Sequence, residues 1–192
     1  MQTRTLIMVE IALMTALALI LDRIEFSGPW VMGGSITLVM LPIFVMAFRR
    51  GVKVGVATGL LVGTLKLVLG SSIFHPVQAL LDYPVAFAVV GLAGLFTLRN
   101  HKGELAMKWA IVGLFVASFL RLFVHIISGV IWFGAYTPEG WNVWIYSIVY
   151  NASYIIPATL ITFGVIFLIS KAQPSFFKKA LPASKVDNPI AS

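Results

Sequence analysis

The chain of 192 residues is 59% hydrophobic and 11% charged, contains no Cys, and carries a formal net charge of +7. Soluble domains keep about a quarter of their residues charged to stay hydrated, so this composition excludes a water-soluble globular fold and makes lipid the solvent. Without Cys there is no disulfide framework, thiolate nucleophile or Cys-based metal site, and His75, His101 and His125 are too scattered to form a ligand motif.

Hydrocarbon cannot satisfy backbone polar groups, so each crossing needs about 20 mostly apolar residues in a helix. Six segments are predicted, at about 5–25, 35–48, 53–70, 77–98, 108–132 and 142–170. The first follows Arg4 and ends in Asp22-Arg23-Ile24-Glu25 where a signal peptide would have a small-residue cleavage site, so it reads as a retained helix. It holds Ala12 and Ala16, four residues apart, and Glu10, placed to snorkel or to pair with a neighbour. The second segment is short and contains Pro42. Arg49-Arg50-Gly51-Val52-Lys53 separates it from the third, where Gly51, Gly55, Gly59 and Gly63 recur on one face and suit close packing inside the bundle. The fourth, fifth and sixth segments carry polar residues at membrane depth: Asp82 and Tyr83, then Arg121 and His125, then Tyr146, Asn151 and Tyr154. After Lys171 the chain is rich in Pro and Lys. The expected organisation is one membrane domain over 1–173 and a cytoplasmic tail over 174–192.

Charge sets the expected orientation. Arg4, the Arg49/Arg50/Lys53 and Arg99/Lys102/Lys108 clusters, and Lys171/Lys178/Lys179/Lys185 hold 11 of the 14 Lys and Arg, all on one side of six alternating helices. The positive-inside rule makes that side the cytoplasm, with both termini there. The opposite loops, Ser27–Gly34, Gly70–Pro76 and Phe133–Trp141, carry no Lys or Arg. Basic residues confined to short loops answer to the membrane, so no nucleic-acid partner is expected. The predicted class is therefore an all-α polytopic membrane protein.

Depth along the helices brings Asp82 and Tyr83, His125, and Tyr146 with Asn151 to one outer layer, where Trp30, Phe74, Trp132, Phe133, Tyr136, Trp141 and Trp144 also crowd. A carboxylate in an aromatic cage, with polar groups for a flat ring, suits an organic cation bearing a heteroaromatic group. Other readings stay open on the sequence. Asp82 pairs with Arg121 or Lys66 in one of them, His125 is a satisfied packing residue in another, and Trp141 and Trp144 belong to an ordinary interfacial belt.

Several stretches carry a resemblance: Glu10-Ile11-Ala12-x-Met14-x-Ala16, Leu41-Pro42-Ile43-Phe44 with Phe48-Arg49-Arg50-Gly51, and Gln78-Ala79-Leu80-Leu81-Asp82-Tyr83. Another is His125-Ile126-Ile127-Ser128-Gly129, continuing through Gly140-Trp141 and Tyr146-Ser147 to Asn151. Over nearly its whole length the chain resembles the substrate-binding (S) components of energy-coupling factor (ECF) transporters, specifically the thiamine-specific ones of Gram-positive bacteria. The resemblance implies six helices with both ends inside a bacterial plasma membrane. It also implies Asp82 facing the thiazolium ring beside Tyr83, and His125, Gly129, Tyr146 and Asn151 around the aminopyrimidine. Trp132 and Trp30 are implied as stacking residues. Ala12 and Ala16 would dock a transmembrane coupling protein that is shared with two ATPase subunits. No cofactor and no catalysis are expected, and the chain has no P-loop with which to drive uptake itself. An S component for another vitamin or a thiamine precursor, and a stand-alone proton-coupled carrier using Asp82 or Glu10, are the alternatives. An intramembrane enzyme using Asp82 and His125 lacks a convincing second carboxylate, Ser nucleophile or metal cluster.

Overall fold

In a computed structural model of the chain, residues 3–30, 33–70, 73–100 and 103–177 are described. Lys102, Lys178, Lys179 and Lys185 of the expected basic face lie outside them. Six helices form the architecture: α1 (Thr3–Arg23), α2 (Met40–Arg50), α3 (Val52–Val68), α4 (Pro76–Phe96), α5 (Met107–Trp132) and α6 (Val143–Ala172). Four of these, α1, α4, α5 and α6, are long and apolar enough to cross a membrane.

Helix α2 departs from the crossing expected at 35–48. Its 11 residues span roughly 16 Å, about half the hydrocarbon thickness. It is instead the buried centre of the bundle: Met40, Ile43, Phe44, Ala47 and Phe48 are fully enclosed by α1, α3, α4 and α6. The chain before it is irregular, with Ile36 exchanging backbone hydrogen bonds with Phe26 at 3.1 and 3.2 Å. Pro42 fits because it falls in the first turn of α2, whose backbone N–H groups have no helical acceptor to lose. At the other end Gly51, at φ +90°, turns the chain directly into α3, a conformation that favours Gly.

The glycine face of α3 meets α4. Gly55 lies against the Gly91 carbonyl, Gly59 against the Phe87 carbonyl, and Gly63 against Tyr83 and Pro84. Backbone meets backbone there, so dispersion contacts are dense without any hydrophobic gain from water. α4 itself changes pitch along its length, from an α turn through a π turn at Leu81–Val85 to a 3₁₀ stretch at Val89–Phe96.

One end of the bundle is basic and closed. Arg50 grips Glu10 through two 2.6 Å hydrogen bonds, with Arg49 3.8 Å away. The Arg99 guanidinium donates to the carbonyls of Phe177 (2.5 Å), Phe48 (3.1 Å) and Gly103 (3.2 Å), capping the last turn of α2. Past residue 173 the chain makes one tight turn, Pro174–Phe177. Phe177 is buried against Phe48, and Phe176 lies under Arg49 at 4.8 Å. Phe176 and Phe177 thus pack with the bundle; the expected tail beyond residue 177 lies outside the described residues.

Candidate functional site

The opposite end of the bundle holds a cavity of about 480 Å³, within the usual size range of small-molecule sites. Helix α4 starts it. His75 caps the helix by accepting from the Val77 N–H (3.2 Å), and Pro76 occupies the first helical position. Gln78, one turn in and fully buried, accepts from the Phe74 N–H through Oε1 (3.0 Å) and donates from Nε2 to Asp82 Oδ2 (2.7 Å). The other oxygen, Oδ1, lies 3.2 Å from His125 Nδ1 on α5. That contact makes Nδ1 the protonated nitrogen of the ring and aims the imidazole. The side chains of Asp82 and His125 are 14% and 11% exposed, so the carboxylate is shielded but reachable from the cavity.

Among the described residues Lys and Arg form ion pairs from Arg49 and Arg50 to Glu10 and from Lys66 to Asp22, whereas Asp82 meets the His125 imidazole. The pairing of Asp82 with Arg121 or Lys66 that the sequence left open is not the arrangement seen. Arg121 stacks its guanidinium 4.4 Å from the Phe87 ring on the cavity lining.

Helices α5 and α6 form the next wall. Ser147 Oγ donates to the Ile126 carbonyl (2.9 Å); Asn151 Nδ2 donates to the carbonyls of Ser147 (2.9 Å) and His125 (3.4 Å). Tyr154 donates its hydroxyl to Asn151 Oδ1 at 2.6 Å. This stitching runs directly over Gly129, where an added Cβ would collide with Ser147 Oγ. Tyr146, Tyr150 and Tyr154 follow at intervals of four and make an aromatic ladder, with centroids 5.7 and 6.3 Å apart. Trp30 closes the loop before α2 onto it, edge-on to Tyr154 at 5.8 Å, with its Nε1–H on Ser153 Oγ (2.7 Å). The Tyr150 hydroxyl donates to the Gly33 carbonyl in the same loop (2.7 Å). Phe133 and Tyr136 also line the cavity, as do Glu25 and the paired Asp22 and Lys66, and Phe74 meets Phe133 at 5.0 Å.

Of the residues singled out from sequence, the structure brings Asp82, Tyr83, His125, Gly129, Tyr146, Asn151 and Trp30 to this one cavity. Trp132 is not part of its lining. Its ring stacks on His75 at 5.5 Å, and the next residue, Phe133, takes the position facing the cavity. Ala12 and Ala16 lie elsewhere, on the exposed face of α1, the least buried of the four long helices. Sequence reasoning did not assign Gln78, Arg121, Phe87, Phe133, Tyr150 or Tyr154 to the site. Gln78 was within reach, since it sits four residues before Asp82 on one helix face, and Tyr150 and Tyr154 continue the four-residue spacing from Tyr146. A shielded carboxylate held by an amide and an imidazole, open on one side to flat rings, is built to receive a cation.

Residues 8–178 match the family model described as thiamine transporter protein. The chain is 42% identical over 182 residues to thiamine transporter ThiT of Bacillus subtilis (strain 168), covering 89% of this chain and 93% of that one. It is 35% identical over 148 residues to thiamine transporter ThiT of Lacticaseibacillus paracasei, covering 72% and 74%. The solved structure of ThiT from Listeria monocytogenes superposes with a TM-score of 0.81 at 30% identity, over 92% of this chain and 99% of that one. The S component of a bacterial ECF transporter shares the fold, at a TM-score of 0.62 and 16% identity over 92% of this chain and 100% of that one.

Proposed function

The chain belongs to the thiamine transporter protein family, and from that premise we propose that it is the thiamine-binding membrane subunit of an ECF-type vitamin transporter, a binding protein and not an enzyme. It is a multi-pass protein of the cell membrane. The observation that carries the reading is Asp82, held by Gln78 and His125 in a cavity walled by aromatic rings. The thiazolium ring carries a permanent positive charge that it cannot shed by losing a proton, so it needs an anionic counter-charge in the site. Asp82 supplies it, and in so screened a site the attraction is worth several kcal/mol. Tyr83, Tyr146 and Trp30 give the flat ring system its faces, with Phe133 in the place that Trp132 was expected to fill. His125, Gly129 and Asn151 shape the part of the cavity that takes the aminopyrimidine.

The basic end of the bundle faces the cytoplasm, so the cavity opens outward and collects thiamine from outside the cell. The Ala12–Ala16 face of α1 meets a transmembrane coupling protein, which two ATPase subunits drive. Small residues on an exposed face allow another helix to approach closely. Isothermal titration of the detergent-solubilised protein with thiamine, riboflavin and biotin tests the reading. Tight binding of thiamine alone is expected; a preference for either other vitamin, or no binding of thiamine, would overturn it.

A further inference from the structure

Gly63 of α3 lies outside the cavity lining, directly behind the turn of α4 that carries Asp82 and Tyr83. That turn is wider than an α turn. Pro84 within it has no N–H to return to the carbonyl four residues back, and the helix opens into a π turn over Leu81–Val85, with the Ala86 N–H on the Leu81 carbonyl. The extra residue makes the backbone bulge, and the bulge needs room. It finds room at Gly63, where an added Cβ would stand 2.7 Å from the carbonyl carbon of Tyr83 and 2.8 Å from Cα of Pro84. Side-chain carbons do not approach backbone so closely.

The bulge joins two firmly held pieces of α4. Before it, buried Gln78 ties the first turn to Asp82. After it, the helix is packed backbone to backbone on Gly59 and Gly55. A residue pushed in at 63 therefore acts on the turn between them, and its only yielding direction is away from α3. Asp82 and Tyr83 move with it, altering the 3.2 Å contact to His125. The stitching of α5 to α6 around Gly129 is made without α3 or α4 and stays as it is.

We propose that Gly63 is a specificity-determining positioning residue: the absence of a side chain there seats the π turn of α4 at the depth that presents Asp82 to the cationic ring. This rests on the reading of Asp82 as the partner of the thiazolium. The consequence is selective, because the charged ring depends on where Asp82 stands while an uncharged aminopyrimidine depends on α5 and α6.

The test compares Gly63→Ala with Gly55→Ala, a control whose added Cβ is also too close to its neighbours (2.7 Å from Ala47 Cβ and 2.9 Å from the Gly91 carbonyl oxygen) but two turns further from the site. Each purified full-length variant is titrated with thiamine and with the uncharged 4-amino-5-hydroxymethyl-2-methylpyrimidine, and its thermal midpoint is recorded. Gly63→Ala is expected to weaken thiamine at least 10-fold and the pyrimidine less than 3-fold, whereas Gly55→Ala leaves both within 2-fold even if its midpoint falls. Wild-type thiamine affinity in folded Gly63→Ala, or equal losses for the two ligands, overturns the proposal. Should Gly63→Ala fail to fold, Pro84→Ala, which restores the missing N–H and lets the turn close, is read by the same criterion. Failure of the wild-type protein to bind thiamine would instead strike the underlying functional reading.

Discussion

The bundle has a membrane-embedded acid near each end, and their surroundings are opposite. Glu10 is gripped by Nε and Nη2 of Arg50, with Arg49 beside it. Asp82 has a neutral amide on one oxygen, an imidazole on the other, and a cavity in front. A carboxylate neutralised by a bidentate guanidinium has little electrostatic capacity left for a ligand. A carboxylate held by an amide and an imidazole beside a cavity keeps that capacity. The same residue chemistry is a fastening at one end and a receptor at the other, and the difference lies in the partner and the void.

Neutralising each acid in turn should break this comparison if it is wrong. Asp82→Asn keeps the shape and the Gln78 contact but removes the charge, so thiamine affinity should fall by about 100-fold or more, in line with about 3–4 kcal/mol for a charge pair in a screened site. Glu10→Gln should leave thiamine affinity within about 2-fold and instead lower stability by about 2 kcal/mol, as the charged grip is lost. Titration and thermal unfolding of both variants measure the two effects together. Equal behaviour of the two variants in either measurement would erase the distinction.

Arg99 sharpens the comparison from the closed end. It joins the carbonyls of Phe177, Phe48 and Gly103 in one place. Arg99→Ala should cost about 2 kcal/mol of stability, chiefly by leaving carbonyls unsatisfied, with thiamine affinity unchanged. A drop in affinity without a drop in thermal midpoint would mean that the basic end is coupled to the site.

The smallest effect belongs to the neighbouring aromatics after α5. Phe133 lines the cavity and Trp132 stacks on His75. Phe133→Ala should weaken thiamine about 5- to 10-fold, and Trp132→Ala by no more than about 3-fold, since the worth of an aromatic contact is about 0.5–1.5 kcal/mol. Quenching of Trp fluorescence by thiamine should survive in Trp132→Ala and shrink in Trp30→Ala.

Much of this was legible along the chain. Alternating basic and Lys/Arg-free loops foretold which helix ends share a face, and depth counting from those ends placed Asp82, His125, Tyr146 and Asn151 in one layer before any contact was known. The four-residue spacing of Gly55, Gly59 and Gly63 foretold a close helix contact, and α4 supplies it. Periodicity failed at α2, because a buried short helix and a membrane crossing are equally apolar; its 11-residue length and its burial separate them. The resemblance pointed to Trp132, whereas Phe133 lines the cavity, because where a helix ends sets which of two adjacent rings faces inward.

The sequence by itself determined the solvent, the helix count, the polarity of the two ends and the layer in which the polar residues meet. Those follow from composition and from rise per residue, which are local properties. The tertiary structure alone decided that Asp82 pairs with His125 and Gln78 and not with Arg121 or Lys66, that Arg121 rests on Phe87, and that Asn151 spends its amide stitching α5 to α6. Partners of that kind depend on how helices rotate and approach one another. In lipid that is settled by side-chain and backbone packing over the whole bundle, which no single stretch of sequence records.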